Sequence, residues 1–226
     1  MVFDIITIFP EAFSYLNESI LKRAQKKGLL EIKIHNLRDF TEDKHRKVDD
    51  KPYAGGPGMV IKIEPIIKAV QSLTKKSKYS KTKSLIILFS PAGKQFDSKM
   101  AVGLAKKCER LIFICGHYEG IDARVKKAIS DMGLKIEEIS VGPYVLSGGE
   151  LPAMILIDAV SRHLPGVLGK EESLEEKRLG IGVPAYTRPE IFVHKGKKYP
   201  APKILLSGNH AAIVQWRTKH RQKKDF

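Results

Sequence analysis

Cysteine is nearly absent from this chain: Cys108 and Cys115 are the only two in 226 residues. Two thiols cannot build a disulfide scaffold or a cysteine zinc site. Both are expected to be buried structural thiols in a reducing, cytoplasmic setting, with no metal centre. No apolar run approaches the roughly 18 residues that span a bilayer, so no membrane partner is expected. Met1-Val-Phe-Asp-Ile-Ile-Thr-Ile-Phe9 lacks a basic start, and Asp4 interrupts it, so it reads as a first strand and not as a secretory signal. Also missing are G-x-G-x-x-G, G-x-x-x-x-G-K-[ST], H-E-x-x-H and G-x-S-x-G. Those absences remove the dinucleotide, triphosphate, zinc-hydrolase and serine-hydrolase readings. Acidic residues are in deficit, 25 Asp plus Glu against 40 Lys plus Arg, for a formal net charge of +15. Such a surface suits a polyanionic partner, because lysine and arginine displace counterions from phosphates. Lysine-rich segments at 75–83, 195–203 and 217–224 support that reading, and each also fits a solvated linker or tail.

What is present has a clear order. Residues 2–8 read as a strand, and Pro10 opens a helix with Phe13, Leu16, Ile20 and Ala24 on one face, closed by Gly28. Leu30–Leu37 alternates as a half-buried strand does. Arg38 to Met59 is long and irregular, and loops of that length usually carry function. Glu64–Leu73 is expected to be helical. A β-α-β-α-β series follows, with strands at Ser84–Ser90, Leu111–Gly116 and Leu134–Val141 and helices at Asp97–Glu109 and Ile121–Ile129. Leu151–His163 is a further, apolar helix. Continuous apolar runs suit strands covered on both faces, and the alternation implies right-handed crossovers. The expected fold class is α/β, a mainly parallel sheet with helices on both faces, over residues 1–164. Residues 165–185 read as an interdomain linker. Residues 186–226 read as a small, basic, mostly helical domain with a terminal helix carrying Ile213, Val214 and Trp216.

Ser140-Val-Gly-Pro-Tyr-Val-Leu-Ser-Gly-Gly-Glu-Leu-Pro-Ala153 joins the last strand to the apolar helix. Its glycines and Pro143 exceed what a turn requires, and glycine lets main-chain groups approach a ligand closely. In an open α/β sheet, ligands sit beyond the carboxyl ends of the strands. Ser90-Pro-Ala-Gly93, Gly116-His-Tyr-Glu-Gly120 and Val141–Leu146 each follow a strand. In a parallel sheet all three meet at that edge, which predicts a small-molecule site.

Several strings occur in order along most of the chain: Arg38-Asp-Phe-Thr41, His45-Arg46 with Val48-Asp-Asp50, Pro52-Tyr53 with Gly55-Gly-Pro-Gly-Met59, and Cys115-Gly116 with Tyr118-Glu-Gly-Ile-Asp122. Tyr144 to Met154, Pro165-Gly-Val-Leu-Gly169, Tyr186-Thr-Arg-Pro189 and Leu206-Ser-Gly-Asn-His210 complete them. With these strings the chain resembles the bacterial tRNA (guanine-N1)-methyltransferases of the SPOUT superfamily. The resemblance implies methyl transfer from S-adenosyl-L-methionine to N1 of a guanine adjacent to the anticodon of tRNA. It also implies a C-terminal trefoil knot in the methyltransferase domain, a homodimer with active sites at the subunit interface, and a Mg²⁺ requirement. Two other readings are an RNA-binding homologue without catalysis, and a SPOUT enzyme acting on ribose or ribosomal RNA.

Guanine N1 carries a proton at neutral pH, so the reaction needs a base, and a donor for the charge developing at O6. The family's arginine falls on Arg162, four residues after Asp158, a spacing that also makes an ordinary helical ion pair. The family's linker aspartate has no counterpart. Its place falls between Leu174 and Lys177, a window that holds Glu175 and Glu176, and Glu176 is the expected base. The resemblance assigns the cofactor to Pro91, Gly116, Tyr118, Glu119, Val141, Gly142, Pro143, Tyr144, Val145, Leu146, Gly148 and Gly149. It assigns the target base and its neighbour to Arg46, Asp50, Tyr53 and Gly58. Pro143 stands where relatives carry an acidic residue, and His117 where they carry arginine. The basic C-terminal domain is expected to grip the tRNA backbone.

Overall fold

The computed structural model describes residues 1–75, 83–169 and 182–220. The chain divides into two units, Met1–Val167 and Leu168–Phe226.

In the first unit, strands β1 (Val2–Thr7), β2 (Glu31–Asn36), β5 (Ser84–Gln95), β6 (Arg110–Ile114) and β7 (Ile136–Ser140) form one sheet in the order β2-β1-β6-β5-β7. Every pairing in it is parallel. Successive side chains on a strand point to opposite faces, and here both faces are apolar. Phe3, Ile5, Leu85, Ile87, Leu111 and Phe113 meet helices α1 (Ser19–Lys26), α3 (Ser98–Lys107) and α5 (Glu150–Ser161). Ile6, Ile86, Ile112 and Ile114 meet α2 (Ile63–Lys75) and α4 (Arg124–Asp131). The sheet is thus parallel with helices on both faces. Each fully buried large side chain stabilises that arrangement by about 1.5–3 kcal/mol. Cys115 is buried and Cys108 partly so, both as free thiols. Burial, with Glu150 nearby, pushes the Cys115 thiol well above its ordinary range.

The helix expected from Pro10 to Gly28 is two pieces, a 3₁₀ stretch at Pro10–Asn17 and α1. Extended Glu18 and Ser19, at φ 47°, break it, and the reset turns Leu21 rather than Ile20 into the core. The irregular Arg38–Met59 segment holds a strand of its own, β3 (Asp49–Asp50), antiparallel to β4 (Val60–Ile61). Asp4 lies fully buried in β1, 2.6 Å from Arg110 Nε and 2.7 Å from His35 Nε2. Burial alone would raise its pKa, but the bonds from His35 and Arg110 outweigh that and hold the carboxyl below its usual value.

The second unit carries a β-hairpin, β8 (Ile191–His194) antiparallel to β9 (Lys197–Pro200), then short α6 (Lys203–Leu206) and α7 (His210–His220). Hydropathy gives little sign of the hairpin, because both of its faces are exposed. Its turn is Lys195-Gly196, both at positive φ (47° and 76°), as a two-residue hairpin turn requires. Asn209 Oδ1 accepts from Ala212 N–H and caps α7. Among the described residues no helix is long and apolar enough to cross a membrane.

Candidate active site

Because the five strands run parallel, their carboxyl ends share one edge. There the irregular Ser90–Gly93 stretch within β5, where its register with β7 shifts, and the loops after β6 and β7 close around a single cleft, whose wall includes Pro91, Gly116, Tyr118, Glu119, Val141, Gly142, Tyr144, Val145, Leu146, Gly148 and Gly149. Of the twelve residues expected to hold a cofactor, only Pro143 is not part of that wall. His117, Ser90 and Pro152 belong to it as well.

Four hydrogen bonds hold the cleft in shape. Gly149 N–H donates to Gly116 O at 2.8 Å, which joins the second and third loops. Ser140 Oγ donates to Gly142 O at 2.9 Å, fixing the exit from β7. Glu119 N–H donates to Met59 O at 3.0 Å, and Ile61 N–H to Gly120 O at 3.0 Å, which stitch the long loop to the second loop. Tyr118 sits at φ 60°, a conformation non-glycine residues adopt only where the surroundings impose it.

At two positions glycine leaves room for another side chain of the site. A Cβ on Gly148 would collide with the Glu150 carboxylate and His117 Nδ1, and one on Gly58, at φ 78°, with the Glu119 side chain. Gly58 thus brings the long loop against the cleft's acidic residue. Beneath the cleft, buried Glu150 accepts a hydrogen bond from Thr7 Oγ1 at 2.8 Å and lies 3.9 Å from His117 Nδ1. Nothing in the sequence marks Glu150 as part of the site, because an acid in the first turn of a helix is a routine partner of the helix dipole.

The other expected site residues lie elsewhere. Asp50 and Tyr53 line a second depression with Lys62, Glu64, Asp122 and Arg124, and Tyr53 is 92% exposed. Arg124 donates to Asp122 in a bidentate pair that holds the Asp122 carboxyl below its usual value. Arg46 is exposed and pairs with Asp39 at 3.1 Å, in neither depression. Arg162 caps the C-terminal end of α5, whereas the cleft adjoins its N-terminal end. From Pro152 in the cleft wall to Arg162 the helix runs ten residues, which at 1.5 Å per residue is roughly 15 Å. Within one chain, Arg162 and the cleft are therefore not brought together. Glu175 and Glu176 lie outside the described residues.

Apolar walls, aligned backbone groups and Glu119 make the cleft chemically suited to a cationic small molecule with an apolar part. Comparison with known proteins gives this geometry a context. A family model described as tRNA (Guanine-1)-methyltransferase TrmD matches residues 1–225. The chain is 55% identical to the tRNA (guanine-N(1)-)-methyltransferase of Dictyoglomus turgidum, over 99% of this chain and 86% of that protein. It is 51% identical to the enzyme of that name from Carboxydothermus hydrogenoformans, over 97% of this chain and 82% of that protein. For the one from Moorella thermoacetica the identity is 49%, over 95% and 82%. Matched nearly from end to end, and with its three loops gathered into one cleft, the chain belongs to the tRNA (guanine-1)-methyltransferase family.

Proposed function

We propose that this chain methylates N1 of a guanine adjacent to the tRNA anticodon, with S-adenosyl-L-methionine in the sheet-edge cleft. The convergence of three glycine-rich loops on one cleft carries the reading. The donor supplies an electrophilic methyl group on a sulfonium. Glu119 offers the negative charge that a sulfonium and an α-amino group both favour, and the backbone groups of Gly116 and residues 141–146 hold the rest. Within the 141–149 loop, the φ-locked ring of Pro143 would stiffen the chain behind that wall.

The distance along α5 supports a homodimer in which Arg162 of the partner subunit completes each site. Exposed Leu151 and Ile155 on α5, with exposed Tyr144 and Val145 at the cleft rim, supply an apolar face for that contact. Arg162 then stabilises the charge developing at O6, and Glu176 takes the N1 proton. Asp50 and Tyr53, beside the cleft through Gly58 and Glu119, suit a turned-out guanine and its neighbour, with Arg46 on the approach. The trefoil knot rests on the family resemblance alone. Among the described residues no group of three or more His, Cys, Asp or Glu is arranged to hold a metal, and no step here is routed through Mg²⁺. The basic second unit binds the RNA backbone, and the enzyme works in the cytoplasm.

The test is methyl incorporation from labelled S-adenosyl-L-methionine into a tRNA transcript with guanine beside the anticodon, against one with adenine there. Label at guanine N1 in the first only is the expected result. Cofactor binding without incorporation would favour the non-catalytic reading.

A further inference from the structure

The hairpin of the second unit spends its aromatic residues on no core. Phe192 is 56% exposed and Tyr199 47%, and no described residue of 182–220 is buried. A two-stranded hairpin is marginal by itself, so exposed rings on it are costly unless a partner covers them. The register places Phe192 opposite Tyr199 and His194 opposite Lys197, and with a period of two these four share one face. The rings of Phe192 and His194 are parallel within 11°, with centroids 6.3 Å apart. Tyr199 lies 6.2 Å from Phe192, and Lys197 Nζ stands 5.4 Å over the Tyr199 ring.

The charge of this segment is predominantly positive. Within 182–220 there are seven lysines and arginines, and Glu190 is the only acid. Lys195, Lys197 and Lys198 lie on the hairpin itself. An apolar protein partner would not call for this density of positive charge, and paired RNA offers no open base faces. Unpaired nucleotides offer both complements, a phosphate chain for the lysines and π faces for the rings.

We propose that the Phe192–His194–Lys197–Tyr199 face of the hairpin is a stacking platform for unpaired nucleotides of the tRNA, a site separate from the methyl-transfer cleft. It rests on the tRNA substrate proposed above and adds to it a contact that backbone gripping does not require. Stacking is tolerant of base identity, so the platform holds a loop without selecting its sequence.

The experiment measures equilibrium binding of the full chain, without S-adenosyl-L-methionine, to three labelled probes: a tRNA transcript, an unstructured adenosine 12-mer and a blunt RNA duplex. Omitting the methyl donor keeps the result separate from the methyl-transfer reading, which can fail while this one stands. Phe192→Leu and Tyr199→Leu are expected to weaken tRNA and 12-mer binding by roughly five- to 150-fold, the range for losing one stacked base. The duplex should be unaffected and the salt dependence unchanged. Lys197→Gln should instead reduce the slope of log K against log salt by about 0.7. Phe192→Trp, which keeps a stacking ring, should bind like the parent and guards against a folding defect. Unchanged affinity in the leucine variants would overturn the platform. So would equal loss on the duplex, or a drop in sedimentation mass, which would give the face to a second copy of the chain.

Discussion

In the first unit every residue of β1 is buried, Asp4 and Thr7 included, and each of those polar groups has a partner. In the second unit no described residue is buried, and its rings stack on one another in the open. In the first unit the sheet fixes the three loops, and the loops shape the cleft. A preorganised site of that kind spends little binding energy on ordering. The second unit leaves its apolar and charged surface for a partner to cover, which suits a large flexible substrate. On the proposed function, the contrast is one of which step each unit would govern, cofactor and chemistry in the first, RNA capture in the second.

The widest separation is expected from the linker. Glu176→Gln removes the proposed base without changing size, and a general base contributes typically 10²–10⁴-fold. Turnover should fall by about that factor in single-turnover assays, while S-adenosyl-L-methionine affinity stays within about twofold of the parent. Full activity would remove Glu176 and turn attention to Glu175.

Next in size is Arg162→Ala, expected to lower turnover by about 10²–10³, the effect of removing one charge-stabilising donor. Subunit mixing makes this a test of geometry. Combining Arg162→Ala chains with cleft-blocked Gly148→Val chains should restore roughly a quarter of parent activity if each site draws on both subunits of a symmetric dimer. No recovery on mixing would place Arg162 and the cleft in one chain's site, contrary to the length of α5. Gly148→Val alone pushes a branched side chain onto Glu150 and His117. Overpacking costs typically 1–3 kcal/mol, so calorimetry should find donor affinity weakened about 5- to 150-fold. tRNA binding by the second unit should persist.

Much of the first unit was legible from the chain, for a physical reason. Strands buried on both faces are largely apolar, and glycine suits the loops after them where backbone meets ligand, so Ser84–Phe89 and Gly142–Gly149 declare themselves. Less legible were features set by tertiary distance. The Asp158–Arg162 spacing has the same form whether the arginine serves the cleft or a surface pair, and only the length of α5 separates those roles. Glu150 has the place of an ordinary helix-start acid, and only the fold sets Thr7 and His117 beside it. The hairpin was hidden because exposure on both faces leaves no alternation to read, and its Lys195-Gly196 turn lies within a lysine-rich stretch. The proposed base, Glu176, falls outside the described residues.

The smallest effect separates the units by pH. Asp4 titrates below its unfolded value of about 3.9, because the bonds from His35 and Arg110 outweigh the cost of burying it. Its contribution to the first unit is therefore complete above that unfolded value. It is lost as pH falls through the lower folded value, with a slope of at most about 1.4 kcal/mol per pH unit for one group. The second unit has Glu190 as its only described acid, and no described residue there is buried, so it has no comparable group to lose. Denaturant unfolding followed between pH 5 and pH 2 should show the first unit weakening in the acid limb, and Asp4→Asn should flatten that limb while lowering stability at neutral pH. An unchanged acid limb in Asp4→Asn would mean that other carboxylates carry the dependence. The buried Asp4–Arg110–His35 cluster would then be no part of what makes the first unit hold its shape unaided.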